Sequence, residues 1–181
     1  LLKRQPDLSV SLSSRVLPEY REFERTSTTV ANAFTTPVLT NYSAKLEGAL
    51  GERGLAAQLR LLQSNGGIGT VDALSERCIS TALSGPAGGV TAAAYLSVRH
   101  GLGDCISFDM GGTSSDICLI RDGKPEWTVD AMIGGFPVRI PMIDVHTVGA
   151  GGGSVIWVDS GGGLRVGPRS AGSNPGPACY G

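Results

Sequence analysis

The stretch of this chain best equipped for chemistry is Ile106-Ser107-Phe108-Asp109-Met110-Gly111-Gly112-Thr113-Ser114-Ser115-Asp116-Ile117. An apolar run ends in a carboxylate, two glycines and three hydroxyl residues follow, and a second carboxylate opens the next apolar run. That order predicts a tight hairpin whose turn presents several backbone N–H groups to one point. Such a nest binds anions, phosphate above all. Gly111 and Gly112 lack the Cβ that would hold phosphate oxygens away from the backbone, and Thr113 and Ser114 add hydroxyl donors. Asp109 is placed to hold Mg²⁺ through water, because that ion takes oxygen ligands and keeps several waters. Asp116 is placed to orient the hydroxyls or to join the ion's outer shell. The competing reading is a structural hairpin with polar turn residues.

Other candidates flank this window. Asp144 and His146 are two apart and share a face on a strand. They could ligate a further divalent metal or work as an acid–base pair; the alternative is a histidine hydrogen-bonded inside a sheet. Gly149-Ala150-Gly151-Gly152-Gly153-Ser154 is either a second nest, touching nucleotide or shaping a cleft, or a flexible connection. Arg25, with Thr26, Thr28 and Thr29, either reaches a phosphate or partner or belongs to a solvated helix face. His100, beside Gly101, reads as a helix-end cap that complements the dipole.

The elements that must position these groups follow from periodicity and punctuation. Residues 8–12 alternate loosely and suggest a strand within 1–17. From Pro18 the apolar residues Tyr20, Phe23, Val30, Phe34, Val38, Tyr42, Leu46 and Leu50 recur at helical spacing, the pattern of one face of a long helix. Pro37 should kink or split that helix, and Gly51 or Gly54 should end it. A short strand over 58–64 closes at Asn65-Gly66-Gly67, and a short helix covers 72–79. Ser84-Gly85-Pro86 opens a helix from Ala87 to about Arg99, stopped by Gly101. Strands are expected over 105–110, 117–121, 126–129, 136–142, 155–158 and 164–166. Asp122-Gly123 and Gly161-Gly162-Gly163 serve as hairpin turns.

Composition narrows the class. Of 181 residues, 27 are glycine, about twice the usual share of roughly 7%. None falls in residues 1–47, whereas 24 fall in residues 66–181. The chain is expected to divide accordingly, into a strand-and-helix scaffold over 1–65 and a glycine-rich phosphate-binding part over 66–181. The net charge of −1 gives no pull toward nucleic acid or anionic lipid, and 6% aromatic content offers few stacking platforms. No run reaches the roughly 18 apolar residues of a membrane helix, and no leader pattern opens the chain. Cys78, Cys105, Cys118 and Cys179 are widely spaced and read as reduced thiols of a cytoplasmic protein. The absence of an initiator Met and the ending at Gly181 suggest a piece of something longer.

The order helix, strand, Asp-x-Gly-Gly-Thr hairpin resembles the second phosphate-binding segment of the actin/hexokinase/chaperone ATPase superfamily, with Gly88 and Gly89 letting the helix pass close to its neighbours. Ser84–Val90, Phe108–Ser114, Asp144–Ser154, Gly167–Gly172 and Pro175–Gly181 together resemble the hydantoinase A family. Val10–Ser14 through Tyr20, and Glu24–Thr29, also match its pattern. That family comprises ATP-dependent N-methylhydantoinases, 5-oxoprolinases and nucleotide-binding subunits of ketone carboxylases. Ser115 stands where Thr is common, and Ser173-Asn174 where Ala-Asp is common. The resemblance implies an α/β, actin/hexokinase-like (ribonuclease H-like) ATPase lobe with β-hairpins, incomplete because an earlier Asp-x-Gly-Gly-Thr loop is missing. It implies ATP and Mg²⁺ as cofactors, and a hydantoinase B-type subunit or domain as partner. The substrate would be a cyclic amide phosphorylated on its oxygen before ring opening, or a ketone in the carboxylases. In that frame Asp109 and Asp116 are catalytic, and Gly111, Gly112, Thr113, Ser114, Gly88 and Gly89 hold nucleotide. The isolated fragment is expected to be inactive, or to serve assembly only.

Overall fold

The computed structural model describes residues 8–55 and 57–177, and the change from helices to hairpins falls just after residue 100. In chain order the elements are α1 (Ser13–Val16), α2 (Glu22–Glu52), β1 (Arg60–Leu62), β2 (Ile68–Thr70), α3 (Val71–Leu74), a 3₁₀ turn (Cys78–Thr81) and α4 (Ser84–His100). Then come β3 (Cys105–Met110), β4 (Ser115–Arg121), β5 (Lys124–Pro125), β6 (Trp127–Ile133), β7 (Phe136–Ile143), β8 (His146–Val148), β9 (Ser154–Val158) and β10 (Leu164–Ser170). The strand pairs are antiparallel. Among the described residues no helix is long and apolar enough to cross a membrane.

The chain forms two compact units, neither continuous in sequence. The first comprises residues 1–87 and 127–143, the second 88–126 and 144–181. In the first, β6 and β7 form a hairpin closed by Gly134-Gly135, both at positive φ as a tight primed turn requires. Its core joins Val138, Ile140 and Met142 of β7 to Val16 and Ile79. The strand expected over residues 8–12 is not there; the chain enters α1 instead, and residues 1–7 lie outside the described part. Helix α2 runs unbroken through Pro37 and ends near Gly54, which takes positive φ.

The orientation of α2 reverses the expectation from periodicity. Phe23, Val30, Phe34, Val38 and Tyr42 are all more than half exposed, while Thr28, Asn32 and Ser43 are buried. For Thr28 and Asn32 the reason is what lies on the buried side, backbone of β7 and the 3₁₀ turn, which needs hydrogen-bond partners rather than methyl groups; the Ser43 hydroxyl, also buried, has no hydrogen-bond partner among the described residues. Thr28 Oγ1 accepts from the Arg139 amide at 2.9 Å and donates to the Glu24 carbonyl at 2.7 Å. Asn32 Oδ1 accepts from the Ile79 amide at 3.0 Å, and its Nδ2 donates to Ser11 Oγ and the Glu76 carbonyl. Arg25 Nε donates to Ser13 Oγ at 3.0 Å, so this guanidinium braces α1 within the same unit.

In the second unit β4 is central, with β3 on one side and β8 and β5 on the other. Asp122 and Gly123 both take positive φ at the β4–β5 turn, as their dipeptide predicted. The returning strand is only Lys124–Pro125, because the chain leaves at Trp127 for the β6–β7 hairpin. Helix α4 turns a buried stripe of Val90, Ala94 and Ser97 inward, and Gly101 stops it at positive φ. Cys118 and Ile120 form the buried face of β4. Cys78, Cys105 and Cys118 are free thiols; Cys179 lies outside the described residues.

Candidate functional site

Every residue of the expected phosphate loop lies in the second unit, on the turn joining β3 to β4. The strands pair through Met110 and Ser115, leaving Gly111–Ser114 as a four-residue connection closed by Gly111 N–H donating to the Ser114 carbonyl at 2.9 Å. Among the described residues the N–H groups of Gly112, Thr113 and Ser114 find no acceptor. Gly112 and Thr113 are exposed and Ser114 is half-buried, and an anion is a stronger acceptor for such donors than a neutral group.

The two glycines are not needed by the fold. A Cβ on Gly112 would meet nothing within 4 Å, and one on Gly111 would meet only the Ser114 carbonyl oxygen, at 3.6 Å. Neither residue has φ in the left-handed region. Alanine would fit the empty turn at either position. What glycine provides there is bare backbone on the side from which a ligand would come.

Register places the carboxylates. Asp109 faces Asp116 across β3–β4, and Asp116 faces Thr147 across β4–β8. Directly opposed residues project to one face, so the three form a row beside the loop. Thr147 Oγ1 donates to Asp116 Oδ1 at 2.6 Å, fixing that carboxylate. Asp109 is exposed, and among the described residues no donor or cation engages its carboxylate. Its Oδ2 lies 3.5 Å from where a Cβ on Gly89 would sit, so the bare backbone of α4 leaves it room. Gly88 is half-buried in the same turn of that helix. One carboxylate held and one free beside a nest of N–H donors suit a hydrated divalent cation accompanying phosphate.

His146 is in the adjacent row, opposite Ile117, and therefore projects to the other face of the sheet. Its Nε2 is 3.7 Å from Asp144 Oδ2, an exposed ion pair when the imidazole is protonated. No group of three His, Cys, Asp or Glu side chains that could hold a metal occurs among the described residues, so this pair gains no third ligand. Burial pushes the nearby Cys118 thiol upward, opposed by a hydrogen bond from the Glu126 backbone and reinforced by the charges of Asp144 and Glu126, a direction that favours the protonated thiol. Sequence reasoning passed over Thr147. Alternation extends only over Asp144-Val145-His146 and breaks at Thr147, so the register against β4 is what brings Thr147 to Asp116.

The glycine segment 149–154 lies against the first loop. The amides of Gly152 and Gly153 donate to the carbonyls of Gly111 and Gly112, at 3.0 and 2.7 Å. Those two donors are therefore engaged within the protein, so the segment is neither an open nest at these positions nor a loose connection. Gly161–Gly163 make the β9–β10 turn, capped by Asp159, whose Oδ1 accepts from the Gly161 and Gly163 amides.

An α/β unit with a glycine hairpin flanked by two carboxylates has the chemistry expected of a phosphate-binding class of protein. Comparison with known proteins makes the class specific. Residues 25–181 match the hydantoinase/oxoprolinase family, and the chain belongs to it. It is 42% identical to the caprolactamase subunit alpha of Pseudomonas jessenii over 97% of its own length and 25% of that protein's. The solved ATP-dependent caprolactamase from that organism superposes with a TM-score of 0.80 at 41% identity, covering 98% of this chain and 26% of the other. The 5-oxoprolinase of Saccharomyces cerevisiae is 38% identical over 94% of this chain and 13% of its own. Acetone carboxylase, solved without nucleotide, superposes with a TM-score of 0.69 at 31% identity, over 88% of this chain and 22% of its own. The chain thus spans about a quarter or less of the relatives it matches. The α/β architecture expected from the sequence agrees with these two solved enzymes.

Proposed function

We propose that this chain supplies a phosphate-binding part of an ATP-dependent enzyme that opens cyclic amides. The observation that carries the reading is the Gly111-Gly112 turn, which has unengaged amides and glycines that no internal contact requires. In this reading the N–H groups of Gly112 and Thr113, with the Thr113 and Ser114 hydroxyls, hold the phosphate oxygens of ATP. Charge grows on the transferring group as it leaves ADP, and preorganised donors stabilise it without having to reorganise. The γ-phosphoryl passes to the amide oxygen of the ring; one water attacks the carbon so activated, the C–N bond opens to leave the amine and an acyl phosphate, and a second water hydrolyses the acyl phosphate to carboxylate and inorganic phosphate. Asp109 and Asp116 fit Mg²⁺, Asp109 through a bound water and Asp116 from a position fixed by Thr147. The ion, when bound, neutralises charge on the phosphate oxygens.

The names of the relatives support two chemistries. Caprolactamase and 5-oxoprolinase point to a cyclic amide, acetone carboxylase to a ketone whose enolate oxygen would take the phosphoryl group. The higher identity to caprolactamase favours the amide. A relative named as an alpha subunit supports a partner subunit, which we assign to the hydantoinase B type, and we place the assembly in the cytoplasm. Asp109→Ala in the full-length protein tests the site. Its carboxylate holds no other described residue, so the variant should keep the thermal midpoint and lose cyclic-amide-dependent ATP turnover. Unchanged turnover would sink the assignment.

A further inference from the structure

The segment after β8 is built around one close approach. A Cβ on Gly151 would lie 2.7 Å from the Gly111 carbonyl oxygen, 2.7 Å from the Ser114 nitrogen and 2.8 Å from the Gly112 carbonyl carbon. All three are backbone atoms, and Gly151 has no left-handed φ. Space alone therefore requires glycine at this position. Around it, Gly152 and Gly153 donate to the carbonyls of Gly111 and Gly112. The buried Ser115 hydroxyl donates back to the Ala150 carbonyl at 2.5 Å. The segment is braced in turn: Gly151 N–H donates to Ser154 Oγ at 2.8 Å, and the Gly153 carbonyl accepts from the Ala171 amide at 2.8 Å.

These bonds have a directional consequence. In a trans peptide the C=O of one residue and the N–H of the next point in opposite directions. Holding the Gly111 carbonyl toward Gly152 turns the Gly112 N–H the other way. Holding the Gly112 carbonyl toward Gly153 does the same for the Thr113 N–H. Each engaged carbonyl also polarises its peptide, which makes the opposite N–H a better donor.

We propose that Gly149–Ser154 is a buttress that aims the Gly112 and Thr113 amides at the bound phosphate, with Gly151 and Ser115 as its positioning residues. The inference rests on the phosphate reading of the 111–114 loop. It assigns residues 149–154 no contact with nucleotide and explains their glycines by the loop they support.

The test uses the full-length protein, with affinities for Mg-ATP, inorganic tripolyphosphate and adenosine measured by calorimetry and competition. Gly151→Ala should weaken Mg-ATP and tripolyphosphate by about tenfold or more, the loss of aim at two charge-assisted hydrogen bonds, and leave adenosine within about twofold. Gly48→Ala is the control, because a Cβ there meets nothing within 4 Å and the residue lies outside the loop and its buttress, and it should bind like wild type. If Gly151→Ala does not fold, Ser115→Ala replaces it, and Ser115→Thr, which keeps the hydroxyl, should rescue. Equal losses for adenosine and tripolyphosphate would show a merely structural role and overturn the proposal. A Gly151→Ala protein that binds like wild type, or a Gly48→Ala protein that fails equally, would overturn the buttress alone. A wild-type protein that binds neither Mg-ATP nor tripolyphosphate would overturn the phosphate reading and the buttress with it.

Discussion

Replacing Gly112 by alanine separates a ligand-binding turn from a structural one, because the two readings predict opposite effects on stability and binding. The added methyl would meet nothing within 4 Å, and the backbone is not in the left-handed region. The folded state should therefore accept it without strain. Alanine also restricts the unfolded chain, which stabilises by about 0.4–1 kcal/mol at a compatible site. For a unit of this size that raises Tm by about 2–8 °C. Binding should move the other way. The methyl occupies the approach to the Gly112 and Thr113 amides, and each charge-assisted hydrogen bond contributes about 1.5–3 kcal/mol. Losing two weakens Mg-ATP by about 10² to 10⁴-fold. Scanning calorimetry gives the first quantity and titration of the full-length protein the second. A Tm lowered by several degrees would mean that the fold does need this glycine. Undiminished Mg-ATP affinity would mean that phosphate does not bind there; either result refutes the reasoning.

Two further predictions concern the scaffold. Asn32→Ala removes the acceptor of the buried Ile79 amide and two donor contacts. It should cost about 2–3 kcal/mol and lower Tm by about 4–12 °C, read by thermal denaturation; a shift below about 1 °C would show that water replaces the side chain. Asp159 is held below its ordinary 3.8 by the hydrogen bond from Arg165 and then by the Gly163 and Gly161 amides. A lowered folded-state value means stability present above 3.8 and lost as pH falls through the folded value. The Tm advantage of wild type over Asp159→Asn should be constant near neutrality and shrink on acidification below 3.8. A difference independent of pH would contradict the ionised cap.

How far the sequence could be read depended on whether a feature is local. The β3 bounds, the extent of α4, the Asp122-Gly123 turn and the glycine hairpin at 111–112 were all legible, because each rests on adjacent residues and a short-range rule. The strand expected at residues 8–12 failed because loose alternation over so few positions also suits a chain entering a helical turn. The buried face of α2 was misread for a different reason. Periodicity shows that a helix has two faces, but the neighbouring surface decides which is covered. Here that surface is backbone with hydrogen bonds to satisfy, so Thr28 and Asn32 went inside.

The candidate site divides in the same way. The sequence by itself determined the Asp-x-Gly-Gly-Thr turn, the carboxylates at its two ends and a glycine-rich half of the chain. Those are properties of consecutive residues with few accessible backbone shapes. The tertiary structure alone decided that Thr147 fixes Asp116, that His146 lies on the opposite face from the carboxylates, and that Gly151–Gly153 pack against the 111–114 turn. Each depends on strand register across about thirty residues of intervening chain. A one-residue slip would exchange His146 for Thr147 beside Asp116, and nothing in the local sequence forbids it. The register is set where β8 pairs with β4 and backbone meets backbone at Gly151, a contact only the folded chain contains.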